Sequence, residues 1–175
     1  MIAILFWLSV LLIVYTYLGY PVVLAALASL RPRYRPPAPP TEWPTVTLLI
    51  TAYNEEAVIA AKLDNSLALH YPSDKLQVLV AADGSDDRTV EIVTSFADRG
   101  VELSYRPERA GKLAALKNGV LAARGDIIVF SDANNMYNPD ALHHLAQAFG
   151  DEKVGAVSGA KHVAGGSGEA LGASE

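Results

Sequence analysis

The chain has 175 residues, of which 14 are Lys or Arg and 19 are Asp or Glu, giving a formal net charge of −5. It contains no cysteine, which excludes disulfides, thiolate zinc sites and cysteine nucleophiles. The acidic balance provides no basic footprint of the kind that nucleic-acid-binding domains carry, so we expect no nucleic acid among its partners.

The first 30 residues contain no charged side chain. A bilayer core requires about 20 apolar residues, so residues 1–30 are long enough to form a transmembrane helix. A secretory signal peptide is the weaker alternative, because it would have a basic start and a shorter apolar run. Pro21 could kink the helix or separate the span from an interfacial segment.

A basic, proline-rich segment follows the apolar run. Arg31, Arg33 and Arg35 come directly after it, and by the positive-inside rule they place the rest of the chain in the cytoplasm. A linker that is merely solubilising is the alternative. The prolines cannot continue a helix and predict a semi-rigid linker. We therefore expect a plasma-membrane or inner-membrane protein with a transmembrane helix at residues 1–30, a linker at 31–45 and a globular domain at 46–175.

Three apolar runs in the remaining residues each end in a polar loop. The runs are VTLLI, VLVAA and IIVFS, and the loops that follow them are TAYNEE, DGSDD and DANN. Short runs rich in β-branched residues, each followed by a helical pattern, predict buried parallel strands in successive strand-loop-helix units. The predicted fold class is therefore α/β, with a mostly parallel, Rossmann-like sheet preceded by one transmembrane helix.

The pattern predicts four strands and four helices in this region. Strands are expected at residues 46–51, 77–82, 101–105 and 127–131, and residues 154–158 could form a fifth. Helices are expected at residues 55–69, 86–97, 112–123 and 139–149, and Asn54 and Ser85 could cap the first two. The third helix has one apolar face, formed by Leu113, Leu116, Val120 and Leu121.

Polar side chains follow the ends of the predicted strands, where ligands bind in parallel sheets. Asp83 ends the second strand and could accept a hydrogen bond from a base or a ribose. Asp132 and Asn134 are two positions apart, so in extended chain both oxygens could face one ion. Mg²⁺ or Mn²⁺ typically takes one or two carboxylates plus substrate phosphates. Turns with no ligand are the alternative for each of these motifs.

Cationic side chains and one glycine stand out between the third strand and the third helix. The cations could neutralise a pyrophosphate or form a solvated face; they are Arg106, Arg109, Lys112 and Lys117. Gly119 inside a helical pattern indicates close packing or a functional approach. No G-x-G-x-x-G follows the first strand, which disfavours a dinucleotide-binding dehydrogenase. The acidic loop TAYNEE likewise disfavours a nucleotidyltransferase.

Taken in order, TAYNEE, ADGSDDRT, GKLAALKNG and SDANNMYNPDAL resemble the motifs of family-2 glycosyltransferases with the A-type nucleotide-sugar fold, over residues 46–158. The resemblance implies an inverting enzyme that transfers a sugar from a nucleotide sugar, expected to be UDP-linked, to a polysaccharide, glycolipid or polyprenyl acceptor. It also implies roles for individual residues, as follows.

By this resemblance, the loop that frames the base contains Ala52, Tyr53 and Glu55. Asp83 matches the aspartate that binds uracil, and Lys112 matches a basic position near the diphosphate. Asp132 matches the first acid of the family's Asp-x-Asp motif for a divalent metal, Mg²⁺ or Mn²⁺. Asn134 stands where many members have Asp, so the metal ligands are expected to be Asp132 and Asn134.

The resemblance further implies a catalytic base, a carboxylate in a later motif, which nothing in this sequence matches. Glu169 and Glu175 lie in a Gly-rich tail without a pattern. We therefore expect the chain to be a fragment, with the base located beyond Glu175. The alternative function is a catalytically inert nucleotide-sugar-binding fragment or a partner-binding module.

Overall fold

The computed structural model describes residues 1–30 and 36–160. The chain forms two compact units, Met1–Pro36 and Pro37–Glu175, which are described separately below. The three arginines after the apolar run lie outside the described residues, as do Glu169 and Glu175.

The first unit is a single apolar helical segment. It comprises α1 (Ile2–Val14), a π-helical turn (Tyr15–Gly19) and α2 (Tyr20–Ser29). Together, Ile2–Ser29 is a 28-residue apolar helix with no buried residues. At 1.5 Å per residue it is about 42 Å long, more than a bilayer core of about 30 Å requires. The predicted apolar helix is therefore confirmed as one that could span a membrane.

Pro21 does not interrupt this helix. It lies in the first turn of α2, and the π-helical turn precedes it directly. A proline removes one backbone hydrogen bond and crowds the carbonyl four residues earlier. A π-type turn widens the helix where that clash would otherwise occur.

The second unit is built on a four-stranded parallel sheet. Its strands are β1 (Val46–Ala52), β2 (Leu76–Asp83), β3 (Val101–Arg106) and β4 (Ile127–Asp132), arranged in the order β3-β2-β1-β4. The predicted α/β class and parallel sheet are confirmed. The fifth strand is wrong, because residues 154–158 are described without regular structure. Gly155 and Ala156 offer little side-chain packing to hold a strand there.

The helices of the second unit are α3 (Ile59–Leu67), α4 (Thr89–Ser95), α5 (Lys112–Ala122) and α6 (Ala141–Ala148). The predicted caps of the first two helices are wrong. Asn54 lies five residues before α3 with a left-handed φ of 52°, which Asn tolerates better than most residues. Its backbone N–H donates to the Ser85 hydroxyl (3.3 Å) and its side-chain amide donates to Asp86 Oδ1 (2.6 Å), so the side chains of Asn54 and Ser85 join the two loops instead of capping helices.

The sheet is covered on both faces, since alternate side chains of each strand point in opposite directions. On one face Leu48, Ile50 and Val80 belong to the larger core, with side chains from α3, α4 and α6. On the other face Leu49 and Leu79 pack against α5. β1 is therefore buried along nearly its whole length.

Helix α5 contacts the sheet chiefly through its small residues, and most of the predicted apolar face is wrong: Leu116 packs against the sheet core, but the other three side chains are exposed. Leu113 is 82% exposed and Leu121 is 77% exposed, whereas Ala115 and Gly119 are buried. A Cβ atom at Gly119 would collide with the Leu49 side chain. Small side chains let the helix backbone approach the sheet closely, which larger leucines at these positions would prevent. The close packing of α5 on the sheet therefore explains why position 119 is a glycine.

Part of the predicted linker packs on the second unit. The Trp43 ring lies 4.4 Å from the His143 ring, centroid to centroid. The Tyr71 hydroxyl donates to the Pro44 carbonyl (2.6 Å), and Gln147 Nε2 donates to the Pro37 carbonyl (2.6 Å). Residues 37–45 are thus attached to the sheet unit by aromatic packing and hydrogen bonds.

Substituting Gly119→Ala should lower the free energy of unfolding by about 1–2 kcal/mol. The added Cβ would overlap Leu49 Cδ1 severely, so overpacking should cost about 2–3 kcal/mol, the upper part of the usual range, and the better helix propensity of Ala recovers about 1 kcal/mol. Denaturant titration of the chain in detergent measures this. Gly155→Ala is the control, since a Cβ atom there meets nothing within 4 Å. Equal stability of Gly119→Ala and the parent chain would contradict the close-packing explanation.

Candidate active site at the carboxyl edge of the sheet

The parallel strands bring the predicted carboxylates to one edge. β1 pairs with β2 on one side, where Ala52 lies opposite Ala82, and with β4 on the other, where Thr51 lies opposite Asp132. Asp83 and Asp132 are the last residues of β2 and β4. They therefore lie on either side of β1, at the edge where parallel sheets bind ligands.

The loops after β1 and β2 are joined by reciprocal hydrogen bonds. The Asn54 amide donates to Asp86 Oδ1 (2.6 Å), and the Asp86 backbone N–H donates to Asn54 Oδ1 (3.1 Å). Three further bonds of 2.8–3.0 Å join Glu55 N to Thr89 Oγ1, Glu56 N to Asp87 Oδ2, and Arg88 N to Glu56 Oε2. Each loop satisfies polar groups of the other, so the pair is held in one arrangement.

Asp83 holds the start of α5. Its carboxylate is 3% exposed and accepts hydrogen bonds from the backbone N–H groups of Ala110 (2.9 Å) and Gly111 (2.5 Å). Gly84 follows with φ 65°, and a Cβ there would lie 2.7 Å from the Arg109 backbone. The segment before α5 therefore passes so close to the end of β2 that only glycine fits.

Lys112 and Asp132 are brought together across the edge. Lys112 is the first residue of α5, and its Nζ donates to Asp132 Oδ1 at 2.7 Å. The two side chains are 65% and 48% exposed. An exposed ion pair of this kind contributes less than about 1 kcal/mol to stability. Its significance lies in placing a cation and a carboxylate side by side.

An aromatic ring and an arginine lie beside these groups. The Arg109 guanidinium carbon is 3.9 Å from the centroid of the Tyr53 ring, within cation–π range. Tyr53 is 38% exposed. Of the four predicted cations, Lys112 and Arg109 contact predicted site residues through their side chains. Arg106 lies opposite Asp83 in the sheet and contacts this region through its backbone.

Two other predicted site residues have their side chains or backbone already engaged. Ala52 is 4% exposed and its methyl group belongs to the core, so it can meet a ligand only through its backbone. The backbone N–H of Glu55 donates to Thr89 Oγ1.

The geometric premise for Asn134 is wrong. β4 ends at Asp132, and the Asn135 backbone N–H donates to the Asp132 carbonyl (3.2 Å), so the chain turns at Ala133 and Asn134. The rule that alternate side chains point the same way applies to extended chain and does not hold across this turn. Asn134 is exposed on the same loop. Across residues 1–30 and 36–160, no group of three or more His, Asp or Glu is positioned to hold a metal ion.

Sequence analysis missed two residues of α3 that contact the loop after β4. Lys62 is completely buried, and its Nζ donates to the Asn135 carbonyl (2.5 Å). Asn65 exchanges hydrogen bonds with the backbone of Tyr137. The signal was present, because Lys62 follows Ile59 by three positions and precedes Leu63, on the helix face that is buried.

The model of the family described as "Glycosyl transferase family 2" matches residues 47–172. The chain belongs to glycosyltransferase family 2. It is 39% identical over 124 residues to the probable glycosyltransferase YdaM of Bacillus subtilis (strain 168), a match that covers 67% of this chain. It is 35% identical over 138 residues, 77% of the chain, to the beta-monoglucosyldiacylglycerol synthase of Trichormus variabilis. The chain spans 30% of the length of each of these relatives.

A solved structure supports the same assignment. The mannosyltransferase PcManGT from Pyrobaculum calidifontis, in complex with GDP-Man and Mn²⁺, superposes with a TM-score of 0.77 and 32% identity. The match covers 87% of this chain and 46% of that one. The predicted family and fold are therefore confirmed.

Lys62 and Tyr71 should give the stability of the chain a characteristic pH dependence. Burial lowers the pKa of Lys62 from 10.5 to about 8 and raises the pKa of Tyr71 from 10.0 to about 12. Between pH 8 and 10.5 the unfolded state holds a proton that folded Lys62 has lost, so stability rises with pH. Above pH 10 the folded state retains the Tyr71 proton that the unfolded state loses, so stability falls.

We expect the rise from pH 8 to 10 to be roughly 1–3 kcal/mol, at 1.36 kcal/mol per pKa unit. Lys62→Met should abolish this rise and keep the fall above pH 10. Denaturant titrations of both proteins across this pH range make the comparison. An identical pH dependence in both would show that Lys62 is protonated in the folded state as freely as in the unfolded state.

Proposed function

We propose that this chain is the nucleotide-sugar-binding part of a membrane-anchored, inverting, metal-assisted glycosyltransferase. The donor would be a nucleotide sugar, expected to be UDP-linked, and the acceptor a polysaccharide, glycolipid or polyprenyl carrier. The domain boundaries at residues 30 and 45 belong to the same proposal. Support for a glycolipid acceptor comes from the relative named as a beta-monoglucosyldiacylglycerol synthase.

One observation carries the proposal: a chain of contacts links the two strand-end carboxylates through the start of α5. Asp83 holds the backbone of Gly111, and the next residue, Lys112, pairs with Asp132. A buried carboxylate, an exposed ammonium and an exposed carboxylate thus follow one another along the edge. That order suits the base, the diphosphate and the cation of a nucleotide sugar.

The nucleobase of the donor would bind between Asp83 and Tyr53. A carboxylate can accept roughly four hydrogen bonds. The backbone N–H groups of Ala110 and Gly111 donate to Asp83, so its carboxylate can still accept a hydrogen bond from an N–H of the nucleobase. Tyr53 offers an aromatic face beside it, and the guanidinium of Arg109 lies over that ring. The backbone of Ala52 and the residue Glu55 would complete the loop that frames the nucleobase.

The oxygen ligands at the end of β4 fit a hard divalent cation, Mg²⁺ or Mn²⁺. Such ions use one or two carboxylates together with substrate phosphates, and here Asp132 and Asn134 would hold the ion. When bound, the ion would act as a Lewis acid on the leaving diphosphate. With a single carboxylate, most of the remaining coordination would come from phosphate oxygens. The similar mannosyltransferase was solved with Mn²⁺.

The Lys112 ammonium would bind the diphosphate. It now pairs with Asp132, so substrate binding requires an exchange of partners in which the ammonium moves to phosphate oxygens. An exposed pair is weak enough for that exchange to cost little. The Lys112 side chain also has the four-carbon reach that the exchange needs.

The chemical step requires a base that removes the proton from the acceptor hydroxyl as it attacks the anomeric carbon. We propose that this base is a carboxylate other than Asp83 and Asp132, because those two are engaged in nucleobase and cation binding. The nucleotide of the donor is open to test, since the similar mannosyltransferase was solved with GDP-Man.

We also propose that residues 1–30 anchor the enzyme in the plasma or inner membrane, with the sheet unit in the cytoplasm. The uncharged helix Ile2–Ser29 supports the anchor. Arg31, Arg33 and Arg35 in the sequence support the orientation.

Asp83→Ala should weaken the binding of the free nucleotide, UDP or GDP, as much as the binding of the corresponding nucleotide sugar. Because a charge-assisted hydrogen bond to the nucleobase is lost, the binding free energy should become less favourable by about 1.5–3 kcal/mol. Isothermal titration calorimetry with both ligands measures it. Asp98→Ala, which removes an exposed carboxylate in the turn Ala97–Arg99, is the control. A loss confined to the nucleotide sugar, or no loss, would refute base recognition by Asp83.

Asp132→Asn should abolish the increase in nucleotide affinity that Mn²⁺ produces, since it removes the only charge among the proposed ligands. Asn134→Ala should reduce that increase modestly. The measurement is nucleotide affinity with Mn²⁺ and with chelator, for each variant. Asp98→Asn should behave like the parent chain. If the parent chain binds nucleotide equally with Mn²⁺ and with chelator, the metal proposal is wrong.

A further inference from the structure

Lys62 is a buried cation without an acidic partner. Its side chain is 0% exposed, whereas lysines are almost never fully buried unless they are paired. Within the described residues it forms no salt bridge, in contrast to Lys75 and Lys112. Burying a charge in this way is unfavourable, and the lowered pKa of Lys62 reflects that cost. A methionine of similar length would fill the same space without the charge.

The contacts of the ammonium group all go to one loop. Nζ donates to the Asn135 carbonyl at 2.5 Å and lies 4.2 Å from the centroid of the Tyr137 ring. Both residues lie within the segment that we call the β4 loop, residues 132–137, which begins at Asp132. The charge is therefore directed at the backbone and one side chain of this loop.

Asn65 contacts the same loop from the next turn of α3. Residues three apart on a helix lie on the same side, so Lys62 and Asn65 are neighbours. The Asn65 amide donates to the Tyr137 carbonyl (2.9 Å) and its oxygen accepts from the Tyr137 backbone N–H (2.9 Å). Two side chains of α3 thus bind three backbone groups of the β4 loop.

These contacts hold the loop immediately after the proposed cation ligands. Upstream, Asp132 is fixed by its pairing with β1, where it lies opposite Thr51. Downstream, α3 fixes Asn135 and Tyr137. Asn134 lies between the two attachments, so its position depends on both.

We propose that Lys62 is a positioning residue that, together with Asn65, fixes the β4 loop and thereby presents Asp132 and Asn134 to the cation and diphosphate. The proposal rests on the metal-binding function proposed above. The neutral amine of lysine would also donate to Asn135, so the positioning depends on the N–H donor more than on the charge. This distinguishes it from a general electrostatic effect.

The test uses the whole chain in detergent and two readouts. Lys62→Met removes the donor and keeps the length; Lys62→Gln keeps an N–H donor without the charge. Lys153→Met, at an exposed lysine, is the control for the loss of one positive charge. Hydrogen exchange followed by mass spectrometry reports the order of the β4 loop. Nucleotide affinity with Mn²⁺ and with chelator reports its function.

In Lys62→Met we expect exchange about tenfold faster or more in the β4 loop, with β1 and β2 unchanged, because only a local contact is lost. The Mn²⁺-dependent gain in nucleotide affinity should fall by about tenfold, as expected for the loss of one hydrogen bond that positions the loop. Lys62→Gln should restore much of both properties. Lys153→Met should match the parent chain.

Several outcomes would overturn the proposal. Unchanged exchange in the β4 loop, or faster exchange throughout β1 and β2, would show that Lys62 does not position this loop specifically. A loosened loop with an unaltered Mn²⁺ effect would refute its link to the cation. If the parent chain shows no Mn²⁺ effect, the proposed metal function fails, and loop exchange alone decides the positioning role. If Lys62→Met does not fold, Asn65→Ala is judged by the same criteria, since Asn65 supplies two of the three bonds.

Discussion

The position of every group at the candidate site depends on β1, which is hydrogen-bonded to a parallel neighbour on each side. Parallel pairing places the carboxyl ends of all three strands at one edge, whatever their separation in sequence. Asp83 and Asp132 are thus brought near each other although they are 49 positions apart in the chain. Because β1 is buried on both faces, this pairing cannot shift by one residue without moving core side chains into the wrong layer.

The polar groups that collect at this edge are largely satisfied by one another. Loops after β1 and β2 exchange backbone and side-chain hydrogen bonds, and Asp83 binds the backbone that leads into α5. The loop after β4 is held by Lys62 and Asn65. Sites of this kind need little reorganisation when a charged ligand arrives, which favours binding and catalysis. Under the proposed function, Lys112 exchanges Asp132 for phosphate oxygens when the ligand binds.

Much of the fold follows from the sequence, because short apolar runs that end in polar loops specify buried parallel strands. The predicted strand limits agree with β1 to β4 to within about one or two residues. Methods that assign secondary structure from one set of coordinates differ from one another by as much. The order of motifs also indicated the family, which the match over residues 47–172 confirms.

The errors have a common origin in tertiary contacts that no local pattern encodes. Asn54 and Ser85 are good caps in isolation, but each is used by the opposite loop. The leucines of α5 suggested a buried face, yet the sheet selects Ala115 and Gly119 because they permit close approach. Lysine is assumed to be exposed, so Lys62 was overlooked although its spacing placed it among core residues. The site assignments drawn from the resemblance remain predictions.

The central claim is that a nucleotide and a divalent cation bind together at the carboxyl edge. Paramagnetic broadening by Mn²⁺ of amide resonances in the isotopically labelled chain locates the ion directly. We predict nucleotide-dependent broadening centred on Gly84, Lys112 and residues 132–135. The amino edge of the sheet serves as an internal control, since Glu102 and Asp126 provide carboxylates there. Broadening centred on that edge, or broadening that is the same with and without nucleotide, would contradict the account.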